Sequence, residues 1–499
     1  MGIKAFAAKI IAKQLVSSSK NWIEAPVEAQ QKCLQKLIYQ AKNTAFGEQN
    51  KFSQIKDYED FKQALLVVDY EALRPFIDRM KAGEENILWP GKPIYWSKTS
   101  GTTSGAKFIP ISKESIAHHM TAARNALLFY INRTQNSAFV DGKMIFLQGS
   151  PKLDKLNEVN VGRLSGIVAH HVPKYLQKNR MPSWETNCID DWETKVNAVV
   201  EETIKEDMRL ISGIPSWVQM YFERILERTG KQTIKEVFPN FSLFVYGGVN
   251  YEPYRPIFEE LIGTRIDTIE TYPASEGFIA YQDASESEGL LLNLDAGIFF
   301  EFIPLQKIHE ESPPRIPLWE VELNTNYVIV MSTNAGLWSY MIGDTVRFTS
   351  IKPYRIKVTG RVKHFISAFG EHVIAEEAEA AMNYAMQKTG AIVAEFHLAP
   401  QVKPLDGLPF HEWFVEFTKK PDSESEFSKF LDLKLQEQNV YYKDLIQGSI
   451  LKPAQVFNCR PNTFKDYMKS IGKLGGQNKI ARLADNRKLA EGLVALQQS

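Results

Sequence analysis

The chain has 499 residues, 44% of them hydrophobic, and 59 Lys plus Arg balance 59 Asp plus Glu. That length exceeds one ordinary core, so a large and a small domain are expected, and the composition excludes disorder as the dominant state. The neutral balance excludes the overall basic field that holds a nucleic acid by counterion release, so no nucleic-acid partner is expected.

Along the chain, the first ninety residues read as helices, because apolar positions recur at three and four in VEAQQKCLQKLIYQA and in DYEDFKQALL. The start, MGIKAFAAKIIAKQL, is basic and amphipathic, but Lys4, Lys9 and Lys13 interrupt it before any secretion-signal core. No apolar run reaches the length of a membrane span. Cys33, Cys188 and Cys459 lie far apart, with no metal-ligand spacing, which points to core thiols in a reducing, cytoplasmic setting.

From Pro93 the texture changes. PIYWSK and FIPIS read as short strands flanking a glycine-rich hairpin loop. Between about Val172 and Gly248 helices alternate with strand-like runs such as LFVYGG, the pattern of an α/β domain with a largely parallel sheet, whose ligands sit at the carboxyl ends of the strands. From Gly297 to Phe348 the reading turns to β: GIFFEFIP, then WEVEL and YVIVMST joined by a hairpin turn at Asn324, Thr325 and Asn326. A hinge near Lys363 divides a large domain, residues 1–362, from a smaller α+β domain, residues 363–499, which carries the helix AEEAEAAMNYAMQK and the strand EWFVEFT.

Four segments could carry chemistry. Thr99-Ser100-Gly101-Thr102-Thr103-Ser104-Gly105 is a run of small residues followed by Ala106 and Lys107. Its glycines let backbone N–H groups approach a ligand, and its hydroxyls and lysine supply donors to anionic oxygens, so a polyphosphate fits. It is not a Walker A loop: the spacing is GxxxGxK, Phe108 follows, and a strand rather than a helix comes next. In Thr271-Tyr272-Pro273-Ala274-Ser275-Glu276-Gly277, the aromatic could stack on a base and Glu276 could hold a magnesium ion shared with phosphates; a structural turn is the plain alternative. In Tyr340-Met341-Ile342-Gly343-Asp344, Asp344 could accept from ribose hydroxyls, although Asp after Gly is also ordinary turn chemistry. In Gly475-Gly476-Gln477-Asn478-Lys479, the lysine could stabilise charge as a carboxylate attacks a phosphate. The pairs His118/His119 and His170/His171 have no HExxH spacing and read as packing or surface residues.

The order of these segments is more specific than any one of them: the Gly/Ser/Thr loop, Gly247-Gly248 after a strand, Tyr-xx-Ser-Glu, Gly-Asp, Gly-Arg-x-Lys, and a late glycine-flanked lysine. It resembles the adenylate-forming superfamily of acyl-CoA synthetases, peptide-synthetase adenylation domains and luciferases. Within it, Lys-Thr-Ser-Gly-Thr-Thr-Ser-Gly, Tyr-Pro-Ala-Ser-Glu-Gly and Gly-Lys-Leu-Gly-Gly-Gln-Asn-Lys look most like the auxin-responsive-promoter (Gretchen Hagen) family of acyl acid amido synthetases, over residues 90 to 482. The resemblance implies an α/β large adenylate-forming domain and a small mobile α+β lid, with ATP and Mg2+ as cofactors. It implies that Ser100, Gly101, Thr102, Thr103, Ser104 and Lys107 hold phosphates, that Gly247 and Gly248 pass close to the adenine, and that Tyr272 stacks on it. It further implies Ser275 at the α-phosphate, Glu276 at the metal, Asp344 at the ribose, Arg361 and Lys363 at the hinge, and Lys479 as the adenylation lysine. The implied reaction joins a small carboxylic acid to an amine, expected to be an amino acid. An acyl-CoA ligase with the same first step, and a silent nucleotide-binding protein on the same fold, stay open as alternatives.

Overall fold

The computed structural model describes residues 2–99, 106–249, 251, 254–308, 310, 312–362, 365–371, 373–471 and 480–498. Five helices occupy the N-terminal region of the described chain: Ile3–Glu24, Pro26–Ala41, Ala45–Gln49, Tyr58–Ala64 and Tyr70–Lys81. The starts of the last three are set by short polar side chains that accept from exposed backbone donors: Thr44 from Gly47, Asp57 from Asp60, and Asp69 from Ala72.

Behind them runs a twelve-stranded sheet of two textures among the described residues. Lys143–Phe146, Met208–Ser212, Leu243–Gly247 and Asp267–Ala274 lie parallel, joined through helices such as Pro215–Thr229 and Arg255–Ile262. Asp267–Ala274 then pairs antiparallel with Gly277–Tyr281, and the rest of the sheet continues antiparallel through Ile298–Pro304, Asn326–Thr333, Tyr340–Ile351 and Tyr354–Arg361. Crossover helices cover the parallel half, which is why the strand Leu243–Gly247 within it is a nearly continuous apolar run. A smaller four-stranded sheet holds the expected hairpin, Tyr95–Thr99 against Lys107–Ile111, in register from Tyr95 with Ile111 to Thr99 with Lys107.

The C-terminal region is α+β, as expected. Strands Ile392–Gln401, Phe410–Lys419 and Gln455–Cys459 form its sheet, packed by helices including Ala375–Thr389, Glu424–Gln438 and Val440–Gln447. One apolar cluster runs unbroken from the parallel half (Ile145, Ile211, Phe244) into this region (Phe369, Ala381, Trp413, Val415). A second lies between the N-terminal helices and the antiparallel half (Leu37, Phe61, Phe302, Trp338).

One expected hairpin is corrected. WEVEL is not a strand: Leu318–Glu320 is a single 3-10 turn, and Asn326–Thr333 pairs instead with Ile298–Pro304. The ring of Trp319 packs 5.7 Å from that of Tyr58. The N–H of Glu322, which a ladder would need, donates to the Tyr327 hydroxyl at 2.9 Å. Side-chain bonding has taken the donor that strand pairing requires.

The N-terminal helices are held to the antiparallel half by a buried ion pair. Arg315 Nε lies 2.9 Å from Glu301 Oε1, with the side chains 4% and 0% exposed. The same guanidinium donates to the carbonyls of Lys62 and Leu65 and to Ser339 Oγ, just before Tyr340, and Tyr58 donates to Glu301 at 3.0 Å. Burial pushes the Glu301 carboxyl up to about 7, against the pull of Arg315. Arg315→Ala leaves that carboxyl without its cation and two carbonyls without this donor in the core, so denaturant unfolding should show a loss of about 3–5 kcal/mol, and the Glu301→Leu/Arg315→Met double variant should lose markedly less.

Candidate active site

The carboxyl ends of the parallel strands face one side of the sheet and step outward, from Phe146 and Ser212 through Gly247 to Ala274, and the candidate residues gather on that side. Leu243–Gly247 lies beside Asp267–Ala274 with Gly247 opposite Thr271. A Cβ on Gly247 would stand 2.3 Å from the Thr271 carbonyl oxygen, so only glycine permits this approach. Gly248 follows at φ +82°, a left-handed conformation with open space where a side chain would point. Thr271 Oγ1 donates to the Tyr246 carbonyl at 2.9 Å and ties the two strand ends together.

Asp267–Ala274 reverses into Gly277–Tyr281 through the two-residue turn Ser275-Glu276, with Ala274 opposite Gly277. Pro273 has no N–H to give the ladder, and the register shifts by a bulge between Phe278 and Ala280. The turn is fastened from two sides. Ser275 Oγ lies 2.8 Å from Ser97 Oγ, on the strand that enters the Gly/Ser/Thr loop, and Ser97 is fully buried. Glu276 Oε1 accepts from the Tyr340 hydroxyl at 3.4 Å.

Tyr340 opens the strand that carries Gly343 and Asp344. Tyr272 donates from its hydroxyl to Asp344 Oδ2 at 2.5 Å, both residues being nearly buried. Three strands lie between these two partners in the hydrogen-bonded order of the sheet. At the usual spacing of about 4.8 Å a flat sheet would hold them roughly 19 Å apart, so this half of the sheet is curled over the site.

Asp344 also stands opposite Arg361 in the antiparallel pair, and Val362 donates its N–H to the Gly343 carbonyl at 2.9 Å. Lys107 closes the hairpin opposite Thr99, its ammonium 5.7 Å from the Tyr70 ring, whose hydroxyl accepts from the Phe108 N–H at 2.9 Å. Thus Gly247, Tyr272, Ser275, Glu276 and Asp344 are brought together, with Ser97 joining the hairpin of Lys107 to them. Ser100, Gly101, Thr102, Thr103, Ser104, Lys363 and Lys479 lie outside the described residues. Just beyond Lys479, the Ala481 carbonyl lies 2.8 Å from His397 Nδ1, and Arg482 accepts from the Leu398 N–H.

The motif reading missed three supports. Ser97 and Tyr340 anchor the acidic turn; Tyr340 opens a segment already singled out, and Ser97 sits inside the strand PIYWSK. The third is a contact from the C-terminal region. On the helix Val440–Gln447, Asp444 pairs with Arg163, whose guanidinium also lies 4.5 Å from the Tyr441 ring, and the Tyr441 hydroxyl donates to the Lys98 carbonyl at 3.4 Å. No spacing rule links residues this distant in sequence. The histidines behave as expected: His170 and His171 bond Pro151 and Tyr95, and His119 is a buried ring beside Phe278 whose ionisation burial depresses to about 4.

With this geometry in place, the chain matches the GH3 family N-terminal domain over residues 16–187 and 148–266, the central domain over 291–361 and the C-terminal domain over 376–488. The chain belongs to the GH3 family. Its GH3 relatives include a jasmonoyl–L-amino acid synthetase of Nicotiana attenuata, 24% identical over 64% of this chain and 66% of the relative. Another is an indole-3-acetic acid-amido synthetase of Arabidopsis thaliana, 21% identical over 91% of this chain and 88% of the relative. The fold is that of a solved GH3.15 acyl acid amido synthetase in complex with 2,4-DB (TM-score 0.63, 15% identity, 98% and 96% of the two chains). It is shared by a 2-hydroxyisobutyryl-CoA ligase in its thioesterification state (TM-score 0.59, 15% identity, 95% and 92%). The resemblance read from the motifs is therefore borne out at the level of family, as is the α/β class with a separate C-terminal domain.

The Tyr272–Asp344 bond gives a direct measurement. Tyr272→Phe removes a donor to a buried carboxylate, and urea unfolding should show a loss of about 1.5–3 kcal/mol.

Proposed function

We propose that the chain activates a carboxylic acid with ATP and transfers the acyl group to an amine, an amino acid on the strength of its relatives, giving an amide, AMP and pyrophosphate. The observation that carries this reading is the meeting of the Tyr272–Asp344 pair, the Glu276 turn and the Gly/Ser/Thr hairpin at one sheet edge. In the first step a carboxylate oxygen attacks the α-phosphorus and the bond to the pyrophosphate oxygen breaks. In the second, the amine nitrogen attacks the acyl carbon, the carbon–oxygen bond to AMP breaks, and the nitrogen releases its proton.

In this reading Asp344 receives the ribose hydroxyls, held at a fixed angle by Tyr272, while the Tyr272 ring faces the adenine along the path opened by Gly247 and Gly248. Ser100, Gly101, Thr102, Thr103, Ser104 and Lys107 hold the phosphates, and Ser275 the α-phosphate. Glu276 would hold Mg2+. Among the described residues no group of three metal-ligating side chains is gathered, which suits an ion that keeps waters and phosphate oxygens and asks the protein for one or two carboxylates. When bound, that ion neutralises phosphate charge.

Lys479 stabilises the charge of the first step. Residues 1–362 form the large domain and 363–499 a lid that turns at Arg361 and Lys363, so one site first excludes water from the mixed anhydride and then admits the amine. The widely separated free cysteines support a reducing, cytoplasmic setting.

Pyrophosphate release from ATP and magnesium, with aryl, indolyl and fatty acids, each with and without mixed amino acids or CoA, tests this. Release should depend on one class of acid, rise with amino acids and not with CoA, and fall about 10²–10³-fold in Lys479→Ala. Stimulation by CoA alone would replace amide with thioester formation; release that is indifferent to every acid would overturn the adenylation reading.

A further inference from the structure

We propose that the N-terminal helix, Ile3–Glu24, docks the protein on an anionic lipid surface. Its inner face is small and buried: Ala5, Ala8, Ala12 and Ser19 lie at 9% exposure or less, with Ala8 and Ala12 in one apolar cluster with Ala122 and Ala126. Its outer face is the opposite of what solvent favours. Ile3 is 90% exposed, Phe6 57%, Ile10 48% and Ile11 51%. Ile3, Phe6 and Ile10 recur at three and four residues and so form one outward stripe.

Lysines flank that stripe. Lys4 and Ile11 border one side, Lys9 and Lys13 the other, and Lys20 follows, while no Asp or Glu occurs before Glu24. An apolar stripe edged by lysines is the chemistry of a helix lying in the plane of a negatively charged membrane surface. The helix is also a rigid platform: Asp141 accepts from the Gly2 N–H at 2.7 Å and the Ala5 N–H at 3.3 Å, and Lys4 donates to Asn179 at 3.0 Å. Among the described residues no helix is long and apolar enough to cross a membrane, so the contact is peripheral.

The charge pattern selects this occupant. A second copy meeting the same face would bring Lys4, Lys9 and Lys13 against their equivalents with no helix carboxylate to pair them. A polyanion without an apolar layer would engage the lysines and leave Ile3, Phe6 and Ile10 in water.

The test is sedimentation of the full-length protein with vesicles of phosphatidylcholine alone and of phosphatidylcholine containing about a third phosphatidylglycerol, at low and high salt. The substituted side chains are half-exposed or exposed, and an unchanged melting temperature checks that each variant folds. Binding should appear on the anionic vesicles at low salt, weaken on neutral vesicles and with salt, and disappear in Phe6→Glu/Ile10→Glu. In Lys9→Gln/Lys13→Gln it should weaken about 25-fold, roughly fivefold for each lysine. Failure of the unsubstituted protein to bind anionic vesicles at low salt, or equal binding by Phe6→Glu/Ile10→Glu, would overturn the proposal. So would a dimer in sedimentation velocity that Phe6→Glu/Ile10→Glu abolishes, because a second copy would then cover the face.

Discussion

The architecture turns on the hydrogen bond between Tyr272 and Asp344. These residues belong to strands separated by three others, and their contact requires the antiparallel half of the sheet to bend back over the ends of the parallel half. Much else serves that bend. The helices Tyr58–Ala64 and Tyr70–Lys81 are stitched to its outside by Arg315 and by the bridge from Val68 to Tyr340, so the strand bearing Asp344 starts from a fixed point. The Ser275-Glu276 turn is the corner where parallel becomes antiparallel, which is why one short segment can offer an aromatic, a hydroxyl and a carboxylate to the same space.

Two kinds of chemistry meet there. Small residues let the backbone come close, as at Gly247, where an added carbon would collide with a carbonyl. Hydroxyls then fix the acidic side chains: Tyr272 on Asp344, Tyr340 on Glu276. A carboxylate that already holds one bond inside the protein has fewer orientations left to it, and a supporting shell of this kind is how side chains are held at a fixed angle.

How much of this was legible in the chain depended on range. The hairpin around the Gly/Ser/Thr loop, the parallel α/β stretch and the helical N-terminus follow from local periodicity and turn residues, and the structure agrees. The family was legible because the order of short motifs survives where overall identity falls to about a fifth to a quarter. WEVEL misled because its alternation reads as a strand, whereas the structure buries Leu318 and Val321, three residues apart, leaves Leu323 exposed, and turns the Glu322 N–H to the Tyr327 hydroxyl. Ser97, Tyr340 and Arg163 were invisible as site supports for another reason: their partners lie 178, 64 and 281 residues away, and no local pattern encodes such a meeting.

The contact of the helix Val440–Gln447 with the strand Tyr95–Thr99 has one more consequence. Tyr441 bonds the carbonyl of Lys98, one residue from the hydroxyl-rich loop, while Asp444 and Arg163 pair beside it at a partly exposed position. Bonds of this kind, half in water, are worth about 1 kcal/mol or less apiece. Two such bonds add little to the buried apolar cluster that already joins the C-terminal region to the parallel half, so this contact marks where the two regions meet near the loop rather than what holds them together.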